Sequence, residues 1–196
     1  MVFWERGFEA ASVNELTTAM GITTPSLYTA FGDKEKLFLE AIERYGKGPG
    51  SFGERVLAEE PTAYGAMKRL MEMAAEELTS TCHPLGCMVV MAATNCSVAA
   101  EHIQTALAKR RALGEEKLTL RIERGIREGE LPADTDAAAL AGFYSTVYQG
   151  MSMQAKDGAG RDSLLATVNA AMRAWPAAPA EPTAKPAAAK RRKPAG

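Results

Sequence analysis

The sequence predicts an all-α protein, with a small three-helix unit at the N-terminus and a larger helical unit behind it. Three observations lead there. Ser12 to Lys34 reads as two short helices folded around a glycine. Apolar residues then recur at helical i, i+3, i+4, i+7 spacing within 62–81, 98–127, 135–156 and 161–175. Segments rich in Gly and Pro, GKGPGSFG, CHPLG, GELP and DGAG, fall between these stretches as breakers.

Ser12 and Glu15 form an S-x-x-E capping box, so a helix begins at Val13 with two orphan backbone donors satisfied. Val13, Leu16 and Met20 fall on one face of it. Gly21 tolerates the positive φ of a turn, and Ile22 tucks into the junction. Thr23 or Thr24 caps a second helix that carries Pro25 in its first turn and an apolar edge at Leu27 and Phe31. Gly32 and Asp33 end that helix and cap a third, whose buried stripe is Leu37, Phe38, Ala41, Ile42 and Tyr45. Two helices around a short glycine turn form the helix-turn-helix pattern, whose second helix enters the DNA major groove, although any tight helical hairpin shares the spacing. The outward face favours the first reading. From Thr23 to Phe31 there is no charge, and Thr24, Ser26, Tyr28 and Thr29 offer hydroxyls suited to phosphate oxygens and base edges.

The run from Phe3 to Tyr45 resembles the DNA-binding domain of the TetR/AcrR family of bacterial transcriptional regulators. The likeness rests on G-F-E-A-A-S at 7–12, G-I between the helices, S-L-Y at 26–28 and F-G-D-K-E-x-L-F at 31–38. It implies a homodimer with one such domain per subunit, each joined to a larger helical domain that binds a small effector. Carried over by that resemblance, Thr24, Pro25, Ser26, Tyr28 and Thr29 meet double-stranded operator DNA, Lys34 sits on a phosphate, and Val13 and Asn14 lie near the DNA backbone. Relative to the family, the beginning of the first helix and a commonly basic arm are missing, so the first helix is expected to be truncated. Met1 to Arg6 leaves less than two turns to hold Phe3 and Trp4. The expectation is a start at an internal methionine or a truncated gene, with DNA affinity weakened by the lost cations.

A chain of 196 residues is long enough for a substantial core. The net charge of −1 is unevenly spread. Residues 1–45 carry four Lys and Arg against seven Asp and Glu, 46–175 carry 14 against 16, and 176–196 carry five against one. Glu5 and Arg6 interrupt the apolar start, so no secretory signal is read. The longest candidate for a membrane span, 137–155, has Ser, Thr, Gln and Gly throughout and reads as a buried helix instead. Three cysteines without an export signal suit reduced thiols in a cytoplasm.

The expected organisation is a DNA-binding domain over 1–46, an effector-binding and dimerisation domain over 47–175, and a disordered Ala/Pro/Lys tail over 176–196. Gly46 to Gly53 marks the first boundary. A helical piece, 54–60, precedes the helix of 62–81, which buries Met67, Leu70, Met71, Ala74 and Leu78. Residues 86–94 form a short uncharged helix, buried nearly all round. The helix of 98–127 turns Ile103, Leu107, Leu118, Ile122 and Ile126 inward and sets Arg110, Arg111, Glu115, Glu116, Arg121, Glu123 and Arg124 on its outer face. The helices of 135–156 and 161–175 are expected to pair with a second copy as a four-helix interface, using small residues at Ala138, Ala141, Gly142, Ser145 and Ser152 and the stripe Leu164, Leu165, Val168, Ala171, Met172 and Trp175. The tail's KRRK cluster, 190–193, suits non-specific DNA contact or simple solubility.

Cys82, His83, Cys87 and Cys96 match no paired C-x2-C framework, so no metal is expected. With two histidines and no nucleophile, Walker or dinucleotide fingerprint, neither an enzyme nor a cofactor is implied. Methionines at 67, 71, 88 and 91 beside Phe143, Tyr144 and Tyr148 suit a deformable apolar lining. His83, Asn95, Tyr148 and Gln149 are the expected polar contacts. The resulting expectation is a ligand-responsive repressor, released from its operator by a small apolar or aromatic effector. The alternative is a helical small-molecule-binding protein that has lost specific DNA binding.

Overall fold

The computed structural model describes residues 1–93 and 97–176, and among these every regular element is helical. Ten α-helices follow in order: α1 Val2–Ala10, α2 Val13–Met20, α3 Thr24–Phe31, α4 Lys34–Lys47, α5 Phe52–Glu59, α6 Ala63–Leu78, α7 Met88–Met91, α8 Glu101–Arg127, α9 Ala137–Lys156 and α10 Arg161–Met172. Asn95, Cys96 and the basic tail lie outside the described residues.

The capping logic sets the N-terminal boundaries. The Glu15 amide donates to Ser12 Oγ (3.2 Å), and the Ser12 amide donates back to Glu15 Oε2 (2.9 Å). The Ser12 amide, and after it the Ser12 hydroxyl donating to the same carboxylate oxygen (2.9 Å), hold the Glu15 carboxyl below its ordinary range. Ser12→Ala is expected to cost about 1 kcal/mol in chemical denaturation, since one α2 amide loses its acceptor. Gly21 closes α2 in the left-handed region (φ 66°), where its amide and that of Ile22 reach the last carbonyls of the helix. The inward face of α2 differs from the apolar spacing. Met20 is 41% exposed because it ends the helix, whereas Thr17 is 5% exposed and donates its hydroxyl to the Asn14 carbonyl (3.0 Å), which permits its burial.

The first helix holds its aromatics better than its length suggests. It continues past a break at Gly7 to Ala10, and both Phe3 and Trp4 are buried. Phe3 and Phe8 meet the Phe38 ring edge-on at 5.1 and 5.3 Å. Trp4 stands edge-on to Tyr45 (4.8 Å), stacks on His83 (4.3 Å) and donates its indole N–H to the Gly86 carbonyl (3.0 Å). Three α1 aromatics are therefore gripped by α4, and Trp4 also by the segment leading into α7.

The Gly- and Pro-rich boundary over 46–53 is largely helical, apart from the turn at Gly48. Helix α4 runs on through Lys47, a 3-10 turn covers Pro49–Ser51, and α5 starts at Phe52. Tight packing accounts for this, because a Cβ built on Gly50 would stand 2.8 Å from the Tyr45 ring.

In the larger part, α6 buries Met67, Met71, Ala74 and Leu78, with Leu70 half-buried. The expected outer position of Arg121 is corrected: it is 4% exposed. Its Nη2 donates to the Glu60 and Pro61 carbonyls (3.2 and 3.3 Å) just past the end of α5, where backbone acceptors lack intrahelical donors. Glu130 stands 4.0 Å from it and accepts the first amide of α6, Ala63 N–H. Residues Leu164, Val168, Ala171 and Met172 of α10 serve the subunit's own core, as do Ala141 and Ser152 of α9. What α9 leaves outside is a different stripe. Ala139, Phe143, Thr146, Gly150 and Met153 are exposed and lie alternately four and three residues apart, the spacing of a helix-pairing seam. Phe143 and Met153 are each 40% exposed.

Candidate DNA interface and ligand cavity

Helix α3 is held from beneath by Leu27, fully buried, and by Phe31, half-buried. Thr23 caps it, accepting the Ser26 amide (3.3 Å) and pairing with the Ser26 hydroxyl (2.8 Å). Thr29 donates back to the Pro25 carbonyl (2.9 Å). The opposite face is open: Thr24, Pro25, Ser26, Tyr28 and Thr29 are all exposed, Tyr28 by 46%. On α2, Asn14 is exposed and Val13 half-buried, both in the first turn of the helix. Five of these seven side chains thus lie exposed on α3, and Val13 and Asn14 lie in the first turn of α2.

Lys34 sits lower. Its ammonium donates to the Glu9 carbonyl (3.2 Å) and lies 4.7 Å over the Phe8 ring. Partial burial holds its pKa below the ordinary lysine value, while Glu9 pulls the other way. Nearby cations are engaged as well, Arg6 with Glu15 (3.0 Å) and Lys36 with Asp33 (3.5 Å). The α3 face therefore offers hydroxyls and a tyrosine but little free positive charge.

A second feature lies between α4, α5, α6, α8 and α9: a cavity of about 340 Å³. Its apolar wall includes Phe52, Leu70, Met71, Val89, Leu118 and Tyr144. At its inner end the Tyr45 hydroxyl donates to Cys87 Sγ (3.3 Å), with Tyr148 beside both. Burial pushes the Tyr45 and Tyr148 phenols up, so both stay protonated as hydrogen-bond donors. Tyr144, on the same wall, donates to the Ala171 carbonyl (3.2 Å) and is pushed up to about 12 by burial.

Of the expected ligand contacts, Met71, Tyr144, Tyr148 and Gln149 line this cavity. Met67, His83, Met88, Met91 and Phe143 do not, which corrects their placement. Met67 and Met88 fill the solid core, and Met91, half-buried on α7, lies off the cavity wall. The His83 ring is stacked on Trp4, with its nitrogens against Glu77 Oε1 (2.9 Å) and the Pro84 carbonyl (3.0 Å), so it braces α1. Phe143 faces outward along the seam. Missing from the sequence reading are Arg110, Arg111, Lys117, Glu54 and Glu115, which also line the cavity. Helical spacing alone treats such charges as a solvated outer face, and no sequence signal marks them otherwise.

Comparison with known proteins finds matches for both parts of the chain. The family model described as bacterial regulatory proteins, tetR family, matches residues 1–41, and a tetracyclin repressor-like C-terminal domain model matches residues 64–171. The chain is 31% identical over 176 residues to the HTH-type transcriptional repressor ComR of Escherichia coli (strain K12), covering 89% of this chain and 84% of ComR. The solved structure of the TetR family regulator CifR, a cysteine mutant complexed with 26-bp double-strand operator DNA, superposes with a TM-score of 0.87 at 44% identity, covering 89% of this chain and 92% of that one. PfmR from Thermus thermophilus, at 24% identity and a TM-score of 0.63 over 88% of this chain and 90% of its own, shares the fold.

Proposed function

The chain belongs to the TetR family of bacterial regulatory proteins and is a DNA-binding transcriptional regulator, and from that premise we propose that it is a homodimeric repressor that leaves its operator when a small ligand fills the cavity beside α4. The observation that carries this reading is the junction at Tyr45 and Gly46: one helix, α4, runs from the cap after α3 into the cavity wall. A ligand that fits better in one orientation of α4 shifts the balance between DNA-competent and released states by its differential affinity for the two.

On the DNA side, Thr24, Pro25, Ser26, Tyr28 and Thr29 read the major groove, Val13 and Asn14 approach the sugar-phosphate backbone, and Lys34 turns from Glu9 to a phosphate. The intact, capped and anchored α2–α3 pair supports this over a protein that has given up specific DNA binding. Pairing runs through α9 and α10 within residues 135–175, with the exposed α9 seam at its centre, because reading two half-sites roughly 34 Å apart needs a two-fold axis. No described helix is long and apolar enough to cross a membrane, and the reading places the protein in the cytoplasm as a non-catalytic regulator.

The test is a gel shift and footprint on DNA upstream of the protein's own gene, with analytical ultracentrifugation alongside. Two protected half-sites and a dimer at micromolar concentration are expected. Phe143→Glu with Met153→Arg should yield a folded monomer that no longer retards the fragment. A wild-type chain that sediments as a monomer would sink the paired reading.

A further inference from the structure

We propose that the ligand of this cavity is an amphipathic organic anion, an aliphatic or aromatic body ending in a carboxylate, and that Arg110 is the residue that receives its charge. The inference deepens the effector-cavity reading above and rests on it.

The cavity wall is apolar over most of its area but carries Arg110, Arg111 and Lys117 against Glu54 and Glu115. These charges are not equally committed. Lys117 forms an ion pair with Glu54. Arg111 donates from Nη1 to the Val89 carbonyl (3.5 Å) and has Glu115 one turn further along α8. Arg110 feels Glu54 only at a distance, since that carboxylate is held by Lys117, and no carboxylate among the described residues lies within 4.0 Å of its guanidinium. A half-buried guanidinium without a close counter-ion, at the edge of an apolar cavity, is suited to an incoming carboxylate, which it can bind through two parallel N–H bonds. Neutral apolar ligands would leave that charge partly desolvated and uncompensated.

The position of the guanidinium ties ligand charge to DNA binding. A Cβ built on Gly46 would stand 1.9 Å from Arg110 Nη2 and 3.1 Å from its Cζ. The absence of a side chain at Gly46 is thus what lets Arg110 Nη2 reach in against α4. A carboxylate that draws Arg110 toward the cavity alters this contact on the very helix that follows α3. The volume, about 340 Å³, sits near the small end of ligand pockets at roughly 300 to 1,000 Å³, so the anion is a compact acid rather than a long-chain conjugate.

The experiment compares ω-phenylalkanoates of two to six carbons with their matching amides, by calorimetry on the full chain and by release of the bound operator fragment. At least one acid should bind the wild-type chain roughly tenfold to a hundredfold tighter than its amide. Arg110→Met should bring acid and amide together, Arg110→Lys should restore part of the acid preference, and Gly46→Ala, by displacing the guanidinium, should behave like Arg110→Met. Thermal melting of each variant separates this from misfolding. Equal affinity of acid and amide for the wild-type chain, no binding of either, or an acid preference that survives in Arg110→Met overturns the inference. A cavity-filled variant, Leu118→Trp, distinguishes the two levels. Equal acid and amide binding that Leu118→Trp abolishes rejects the anion but keeps the cavity as the ligand site. Binding that persists in Leu118→Trp rejects the cavity itself.

Discussion

Tyr28→Ala is expected to abolish the specific operator shift while leaving the folded chain within about 0.5 kcal/mol of its original stability. The phenol is 46% exposed on the outer face of α3, and none of the described residues holds its hydroxyl. Removing it therefore costs the fold almost nothing. On DNA the loss is counted twice, once per half-site, and each lost groove contact is worth about 1–3 kcal/mol. A combined loss of roughly 2–6 kcal/mol takes a specific complex down towards the non-specific background. That background rests on phosphate contacts and should persist with its salt dependence unchanged. Titration of operator and scrambled fragments at two salt concentrations checks both halves. Wild-type affinity for the operator in Tyr28→Ala would refute the assignment of α3 as the reading helix.

The largest stability effect belongs to the other end of the same domain. Trp4→Ala should destabilise the chain by about 3–5 kcal/mol in urea, the usual range for truncating a large buried aromatic. Trp4 is 5% exposed, fills the space between Tyr45 and His83, and supplies the Gly86 carbonyl with its donor. Trp4→Phe separates these roles. The ring stays buried but the Gly86 carbonyl loses its partner, at an expected cost of about 1–3 kcal/mol. Comparable destabilisation by both variants would mean that the hydrogen bond, rather than packing, dominates. A near-silent Trp4→Ala would show that α1 is not docked as described.

Where side chains interact with their own near neighbours in the chain, the sequence was informative. Ser12 with Glu15, Gly21, Pro25 and Asp33 each act within about four residues, and they mark the ends of α2, α3 and α4 at the positions the structure shows. Arg121 shows where such reasoning stops. Its acceptors are the carbonyls of residues 60 and 61, about 60 positions away, and nothing in the local spacing distinguishes it from Arg124, which is exposed and paired with Glu128. The cavity lining escapes local spacing for the same reason. Softness suits methionine to a lining, yet Met67 and Met88 are packed solid, while most of the charges that line the space lie on α8, whose polar face reads as solvated from spacing alone. Gly46 to Gly53 illustrates the converse: residues that break isolated helices are used here to let Tyr45 and Arg110 lie close to the backbone.

The exposed α9 seam also bears on partner choice. From Ala137 to Ala155 the helix has no charged residue. If the proposed pairing uses Ala139, Phe143, Thr146, Gly150 and Met153, it attracts through shape and apolar area and contains no charge to repel a wrong partner. In the proposed pairing, the charges available to favour one partner over another lie on the flanks, where Arg161, Asp162 and Arg173 stand exposed on or next to α10.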